Sequence, residues 1–443
     1  MSAANNHNLP LIKLNVFRFK GVQMRTFQIT WLTFFVCFFG WFGLAPLMPT
    51  IRQDLGLSKS EVGNTIIAAV TATIFARLII GRIVDIWGPR KTYTALLIIG
   101  SIPVFLVGLA HSYTSFLLFR LAIGVIGASF VVTQFHTSLM FAPNIKGTAN
   151  AFTGGWGNLG GGVTNMVMPL IFAMIVGFGY TKAEAWRYAM IVPGLMLLIM
   201  AFIYYRYTKD TPAGNFDEIK KEKKGSSKID WSILSDWRVW SLVLAYAVCF
   251  GMEITFDGVA ALHFTDTFKL SLQSAGFWAG TFGFMNIFAR ALGGKASDKV
   301  GKKFGLKGKG LLLAAMLFME GIGIIFFAHA GSLILAIVSM LSFALFLKMA
   351  NGATYGITPF LNEKNVGMVS GIVGAGGNAG GMLFGFLFKS ESITYVQAFQ
   401  YIGYIVIGVS LIVLATNYTL HIKIFNRRQK DEDVLEESLL QVV

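Results

Sequence analysis

Long apolar runs alternate with short polar segments along almost the whole chain. Windows of about 20 apolar residues, enough to cross a bilayer as a helix, recur twelve times. They fall at 27–50, 59–86, 91–110, 113–142, 146–177, 184–207, 237–263, 272–300, 309–329, 331–360, 363–389 and 396–421. Because a spanning segment must satisfy its own backbone hydrogen bonds in lipid, the pattern predicts an all-α membrane protein of twelve transmembrane helices.

One long charged interruption divides the runs into six and six. The expected organisation is a basic N-terminus over 1–26, a six-helix bundle over 27–207, a charged linker over 208–236, a second six-helix bundle over 237–421 and a tail over 422–443. The apolar run that begins at Phe27 is long enough to span and lacks a small-residue cleavage site, so it is interpreted as an uncleaved first helix. Charged residues make up only 13% of the 443 residues, about half the share in soluble domains.

The distribution of Lys and Arg predicts the orientation. If the N-terminus is cytoplasmic, 27 of the 37 basic residues lie on the cytoplasmic side, six lie on the other side and four lie inside spans. This bias predicts cytoplasmic termini in a multi-pass protein of a bacterial-type inner cell membrane. The net charge of +15 then indicates contact with anionic lipid, and no nucleic-acid partner is expected.

Chemistry at a cofactor or metal is not expected. The two cysteines, Cys37 and Cys249, both lie within apolar runs, too few for a disulfide framework or a metal cluster. No pattern indicates a nucleophile beside a base, so the chain is not expected to be an enzyme.

The two halves carry the same motifs. Ile74-Phe75-Ala76-Arg77 recurs as Ile287-Phe288-Ala289-Arg290, and the residues that follow repeat at the same offset. These residues are Gly81, Asp85, Gly88 and Arg90 in the first half, and Gly294, Asp298, Gly301 and Lys303 in the second. The glycine-rich segment 154–161 likewise returns at 374–381. The repeats predict two halves related by a pseudo-two-fold axis, with a substrate site between them near the midplane.

The repeated Gly-x-x-x-Asp-x-x-Gly-x-Arg/Lys pattern resembles the loop signature of the major facilitator superfamily. That resemblance implies a twelve-helix major facilitator fold. The glycines would allow a tight turn, and the aspartates Asp85 and Asp298 would hold basic groups and helix N-termini in a closed cytoplasmic gate.

Two arginines inside the membrane carry the inference about the substrate. Arg77 and Arg290 each lie eight residues before the loop aspartate, roughly 12 Å deep at about 1.5 Å per residue. A guanidinium at that depth costs several kcal/mol unless it meets an anion or a wet cavity. A purely structural pair that binds carbonyls is the alternative. The matched positions favour an anion site, and the planar fork of arginine suits a flat oxyanion.

Other polar and aromatic residues share helix faces with such a site. Asn158 and Asn378, at the centres of the glycine motifs, could donate amide hydrogens to the anion, although close packing alone explains the glycines. In the seventh span Tyr246, Phe250, Glu253 and Asp257 follow helical spacing. In the fourth span Phe130 shares a face with Gln134 and Thr137, beside His136.

The chain resembles the nitrate/nitrite porter family of the major facilitator superfamily. The resemblance lies in the segments 154–164 and 374–381, the paired arginines and the segment 250–257, which is similar to plant and fungal high-affinity nitrate transporters. It implies that Arg77 and Arg290 bind nitrate and that Tyr246, Phe250 and Phe130 line the site. The long central loop of the fungal members is absent.

The expected function is transport of nitrate, and of nitrite as a second substrate, by alternating access in a monomer, driven by proton symport. Glu253, Asp257 and His136 are the candidates for proton coupling. The sequence is also compatible with an electroneutral nitrate/nitrite antiporter, with a transporter of another small anion such as a carboxylate, and with a nitrate-sensing receptor that kept the fold.

Overall fold

The computed structural model describes residues 9–218, 231–361, 366–416 and 418, and helices account for most of them. Eleven continuous helical segments in this described part are long and apolar enough to cross a membrane. One of them, Leu272–Ala328, is 57 residues long and contains two of the predicted spans. The prediction of twelve spans is therefore confirmed.

Twelve membrane helices are numbered here along the chain. They are α1 Val22–Asp54, α2 Lys59–Trp87, α3 Pro89–Leu109, α4 Tyr113–Met140, α5 Pro143–Gly177, α6 Lys182–Tyr207, α7 Trp237–Phe268, α8 272–304, α9 306–328, α10 Leu333–Phe360, α11 Val366–Lys389 and α12 Tyr395–Ala415.

Local sequence sets many of the helix ends. The helix α2 begins with a reciprocal capping box between Ser58 and Glu61, and α12 begins with the same arrangement between Thr394 and Gln397. Such caps satisfy backbone N–H groups that would otherwise lack partners at a helix start. The polar positions between the apolar runs therefore define where each helix enters the membrane.

The two copies of the loop motif fold differently. Gly88 has φ 81° and makes the turn between α2 and α3, as the motif predicts for the first half. Its counterpart Gly301 lies inside a helix, and the left-handed residue of the second half is Gly305, with φ 66°. The turn of the second half thus comes one helical turn later than the repeat predicts, because this segment offers a second glycine.

The charged groups of the loop motif also differ between the halves. Asp298 accepts a hydrogen bond from Nζ of Lys309 at 2.7 Å, and that ammonium also binds the carbonyl of Gly356 at 2.9 Å. Asp85 is exposed, and its carboxylate has no hydrogen bond or ion pair within the described part of the chain.

The first residues after α6 pack on the N-terminal half. The backbone N–H of Arg90 donates to Oδ1 of Asp210 at 2.7 Å, and Lys91 forms a 2.6 Å ion pair with Asp217. Residues 219–230 of the predicted linker and the predicted tail, 422–443, lie outside the described residues, whereas Trp231–Ser235 form a short 3-10 helix before α7. The proposed domain boundaries stay predictions.

Helices of the two halves meet along two seams. In one seam α2 packs against α11, and in the other α5 packs against α8. Glycines allow the approach: a methyl group at Gly162 would lie 2.6 Å from Cα of Gly283, and one at Gly385 would lie 2.7 Å from Cγ1 of Ile67.

Polar contacts between described residues of the two halves include one group at a membrane surface and another at mid-depth. We call the membrane side at which α1 begins the termini side and the other the far side. At the far side Arg52 donates two 2.8 Å hydrogen bonds to Asp266, the N–H of Ser60 donates to Glu391 at 2.9 Å and Lys59 binds the carbonyl of Ile393. The mid-depth contacts are described below. The halves are therefore closed against each other on the far side.

Candidate anion site between the two halves

Arg77 projects from α2 towards the opposite half. Its Nη1 donates a 3.4 Å hydrogen bond to the carbonyl of Gly374 on α11, and its guanidinium carbon lies 5.1 Å from the centre of the Phe130 ring. Its Nε and Nη2 are buried and have no hydrogen-bond partner within the described residues. This arginine therefore keeps two donors for something other than those protein groups.

Arg290 projects from α8 in the second half. Its Nη2 donates a 2.7 Å hydrogen bond to the hydroxyl of Tyr246 on α7, whereas the buried Nη1 has no partner in the described part of the chain. Only 5% of Arg290 is exposed. The second arginine thus also retains an unused donor.

Both arginines approach the pair formed by Tyr246 and Tyr355. Arg290 donates to the Tyr246 hydroxyl, and Arg77 donates to the carbonyl of Gly374, where a methyl group would lie 3.1 Å from the Tyr355 hydroxyl. The structure therefore brings the two predicted arginines together around one location between the halves. Tyr355, on α10, packs edge-on against Tyr246 with ring centres 5.1 Å apart, and its hydroxyl is buried without a hydrogen-bond partner among the described residues.

The predicted aromatic residues border the same location. The rings of Tyr246 and Phe250 stack with centres 5.1 Å apart and an interplanar angle of 6°. Phe130 packs against Phe34 from the first half and faces the Arg77 guanidinium. Aromatic rings and two guanidinium groups therefore border one place between the halves, and both are flat groups that can lie against a planar ligand.

Glycines leave the room for these side chains. A methyl group at Gly377 would lie 2.7 Å from both the Tyr246 and Phe250 rings, and one at Gly374 would lie 3.1 Å from the Tyr355 hydroxyl. On the other side, a methyl group at Gly155 would lie 3.9 Å from Cδ of Arg290. Both glycine motifs thus border the arginines as well as pack the helices.

The two motif asparagines have protein partners in this structure. Asn158 Nδ2 lies 3.5 Å from Oε1 of Glu253, across the boundary between the halves, and Asn378 Nδ2 donates to the carbonyl of Gly374 at 3.3 Å. The Oδ1 atoms of both have no partner within the described part of the chain. Their donation to an anion stays a prediction.

Glu253 is the centre of a buried polar cluster. Its carboxylate accepts hydrogen bonds from Asn286 Nδ2 at 2.7 Å, Asn351 Nδ2 at 2.7 Å and Lys348 Nζ at 3.1 Å. Arg290, one helical turn after Asn286, interacts with it electrostatically. The side chain that the sequence suggested as a proton carrier is therefore ion-paired and fully hydrogen-bonded.

The other two candidates for proton coupling lie in different surroundings. Asp257 is buried beside Gly161, and both of its carboxylate oxygens lack hydrogen-bond partners in the described residues. His136 lies inside the N-terminal half, where one ring nitrogen contacts the Tyr204 hydroxyl and the other binds the carbonyl of Lys209 at 2.7 Å. The structure does not bring His136 to the arginines.

The other two basic residues within spans have their own partners. Arg120 donates to the carbonyl of Trp41 at 3.4 Å, and Lys348 pairs with Glu253. Neither of them donates a hydrogen bond to Tyr246 or Tyr355 in the described residues. Arg120 also has a buried Nε without a partner in the described residues, so an unused donor alone does not mark the site. What distinguishes Arg77 and Arg290 is that both approach Tyr246 and Tyr355, from opposite halves.

The sequence pattern did not reveal Tyr355 or the polar partners of Glu253. A signal for some of them exists, since Lys348, Asn351 and Tyr355 follow i, i+3, i+7 spacing on one face of α10. Asn286 likewise lies four residues before Arg290, at i, i+4 spacing. No cluster of histidine, cysteine and carboxylate side chains that could hold a metal occurs in the described part of the chain.

This architecture defines a major facilitator transporter. The family model described as Major Facilitator Superfamily matches residues 30–385, and the chain belongs to that superfamily. Among solved structures, a D-xylose-proton symporter aligns with a TM-score of 0.66 at 16% identity, over 90% of this chain and 98% of that one. A bacterial homolog of the human lysosomal transporter Spinster, in an inward-facing conformation, aligns with a TM-score of 0.66 at 17% identity. The alignment covers 94% of this chain and 98% of that one. These likenesses concern the fold alone.

Within the superfamily the chain belongs to the nitrate/nitrite porter family. It is 38% identical to the high affinity nitrate transporter 2.5 of Arabidopsis thaliana, over 90% of this chain and 81% of that protein. It is 39% identical to the nitrate transporter 2.2 of Chlamydomonas reinhardtii, over 86% and 75%. The nitrate/nitrite transporter NrtP of Picosynechococcus sp. is 28% identical, over 82% and 84%.

Proposed function

We propose that this chain transports nitrate, and nitrite as a related anion, across a membrane by alternating access. The observation that carries the proposal is that Arg77 and Arg290, one from each half, approach the pair of Tyr246 and Tyr355 with guanidinium donors that have no partner among the described residues. A planar anion fits between planar guanidinium forks and aromatic faces. The names of the relatives point to the same substrate.

Alternating access follows from placing the site between two halves. An anion that contacts Arg77 and Arg290 at once holds the halves together at mid-depth, while the outer contacts open and close on either side. The far-side contacts are closed in this structure. The anion would therefore exchange with the termini side.

We propose that the termini side is the cytoplasm and that the protein lies in the cell membrane, the inner membrane in a bacterium. The support is the excess of basic residues on that side. The protein acts as a monomer in contact with anionic lipid, since each chain contains both halves of the site.

Proton symport is the coupling that we propose. Nitrate entering a negative cell works against about 2.3 kcal/mol per charge per 100 mV, so uptake needs a driving ion. The buried carboxyl groups near the arginines support this mode, because binding an anion would not by itself require them. Electroneutral exchange for nitrite is the competing mode, and it predicts transport that needs nitrite on the opposite side and ignores a pH gradient.

The test is nitrate flux into proteoliposomes. For Arg77→Lys and Arg290→Lys we expect transport to fall by about 10- to 100-fold, because each loses one or two charge-assisted hydrogen bonds worth roughly 1.5–3 kcal/mol. Arg120→Lys is the matched control, because Arg120 donates to the Trp41 carbonyl away from the site, and its substitution should leave transport largely unchanged. Unchanged flux in both site variants would exclude the arginine clamp.

The same liposomes distinguish a nitrate transporter from a carrier of a different anion and from a receptor. Preference for a small carboxylate such as formate over nitrate would indicate a different anion carrier. Tight nitrate binding without any flux would indicate a receptor that kept the fold.

A further inference from the structure

A second buried carboxyl group lies beyond Glu253, in the interior of the C-terminal half. Glu320 on α9 is fully buried, and both of its carboxyl oxygens lack hydrogen-bond partners in the described part of the chain. It interacts electrostatically with Glu253 and with Cys249, both on α7. Neither the anion site nor helix packing uses this side chain.

The helices around Glu320 offer it no cation. On α12, which packs against α9, the segment Tyr395–Ala415 contains no charged residue. On α10 the only charged residue of Leu333–Ile357 is Lys348, which is paired with Glu253. The groups of α7 that act on it electrostatically are the carboxylate of Glu253 and the thiol of Cys249. An ionised Glu320 would therefore be an uncompensated buried charge, whereas the protonated acid avoids most of that cost.

Hydrogen bonds join Cys249, which acts electrostatically on Glu320, to Glu253 near the arginine site. Cys249 Sγ donates to Oδ1 of Asn351 at 3.0 Å, and Nδ2 of Asn351 donates to Glu253 at 2.7 Å. Glu253 in turn interacts with Arg290. Electrostatic changes at the anion site can thus reach Glu320 through adjacent groups of α7 and α10.

We propose that Glu320 is a proton-binding residue of the transport cycle, electrostatically linked to Arg290 through Glu253. Nitrate on Arg290 offsets the positive charge that otherwise stabilises the Glu253 carboxylate, and the added negative potential favours a proton on Glu320. By thermodynamic reciprocity the proton favours nitrate to the same extent. When the anion leaves, the added negative potential is lost and the proton is released, so Glu320 is a carboxylate between the release of one anion and the binding of the next. The inference rests on the proposed nitrate symport.

The experiment compares two measurements on wild type and Glu320→Gln in proteoliposomes. Counterflow of labelled nitrate at equal nitrate concentrations needs no driving ion, whereas accumulation under an imposed inward pH gradient needs proton coupling. For Glu320→Gln we expect pH-driven accumulation to fall to the undriven level while counterflow continues. Accumulation equal to wild type would overturn the role of Glu320. In contrast, Glu253→Gln should reduce both measurements, because it leaves Lys348 without its carboxylate.

The wild type separates this inference from the proposed symport. If wild-type transport does not respond to the pH gradient and needs nitrite on the opposite side, the proposed symport is wrong, and the proposed role of Glu320 is wrong as well. If wild type accumulates nitrate and Glu320→Gln does so equally, only the assignment of Glu320 fails.

A second variant and a spectroscopic measurement cover the case in which the glutamine variant does not fold. Glu320→Asp keeps a titratable group, so coupled accumulation should persist with a displaced pH profile, and an unchanged profile would contradict the proposal. Infrared difference spectra on nitrate binding should show a carboxylic-acid carbonyl band that is displaced in Glu320→Asp. A spectrum identical to wild type would also overturn it.

Discussion

At the scale of single residues, pairing decides what a buried charge can do. Arg77 and Arg290 keep unused donors, whereas Lys348 and Glu253 satisfy each other with the help of two asparagines. The first pair can therefore bind a ligand, and the second pair holds α7, α8 and α10 together.

The Glu253–Lys348 pair gives a prediction about stability. Glu253→Gln leaves the Lys348 ammonium buried without an anion, and we expect a destabilisation of about 3–5 kcal/mol, seen as a lower melting temperature in detergent. Adding Lys348→Met removes the stranded charge and should recover most of the loss. If the double variant melts no higher than Glu253→Gln, the ion pair is not the cause.

The arginines could be predicted from the sequence, and the partners of Glu253 could not. The repeat at a fixed offset identifies Arg77 and Arg290 as equivalent, and equivalence in a two-fold bundle places them opposite each other. Lys348 lies 95 residues from Glu253, and its contact depends on how α10 rotates about its axis. No local pattern encodes that rotation, so the ion pair could not be predicted from the sequence, and proton coupling through Glu253 stays a prediction.

At the scale of helices, glycines set how closely neighbours approach. A methyl group at Gly380 on α11 would overlap the backbone carbonyl of Ala247 on α7, whereas one at Gly371, on the same helix, meets nothing within 4 Å. Close packing therefore requires glycine at position 380, whereas position 371 of the same helix has room for a larger side chain.

This difference predicts opposite effects of one substitution. Gly380→Ala should destabilise the folded protein by about 1–3 kcal/mol, because backbone must move. Gly371→Ala should be neutral or stabilise by up to about 1 kcal/mol through helix propensity. Melting temperatures of the two purified variants decide the matter, and a Gly380→Ala protein as stable as Gly371→Ala would contradict the packing role of the motif.

The apolar pattern predicted the positions of the helices more accurately than it predicted the positions of the turns. Each predicted span coincides with a membrane helix, because about 20 apolar residues admit no other arrangement in lipid. The turn between α8 and α9 moved from Gly301 to Gly305, since either glycine can take a positive φ and only tertiary packing selects between them.

At the scale of the whole molecule, the far-side contacts determine which face is closed. The pair Arg52 and Asp266 joins α1 with α7, and Ser60 with Glu391 joins α2 to the segment before α12. No sequence pattern could predict this state, because alternating access uses the same helices in both conformations.

Breaking the far-side pair should shift the balance between conformations. Arg52 and Asp266 are 29% and 26% exposed, so their ion pair is worth at most about 1 kcal/mol, a population change of roughly fivefold. Asp266→Asn should increase opening on the far side, measured as a longer spin-label distance between the far ends of α2 and α11. The charge swap Arg52→Asp with Asp266→Arg should restore the wild-type distance, and a distance that ignores all three substitutions would exclude the pair as a latch.

The folded start of the linker has a consequence for cutting the protein in two. Asp210 accepts hydrogen bonds from the backbone N–H groups of Arg90 and Phe216, and Lys209 and Lys91 pair with Glu218 and Asp217. Residues 208–218 are thus bound to α3 of the first half. Two separately expressed polypeptides should reassemble when the break follows Glu218. A break directly after Tyr207 would remove residues 208–218 from the first fragment, and with them the contacts to Arg90 and Lys91, so reassembly should be weaker.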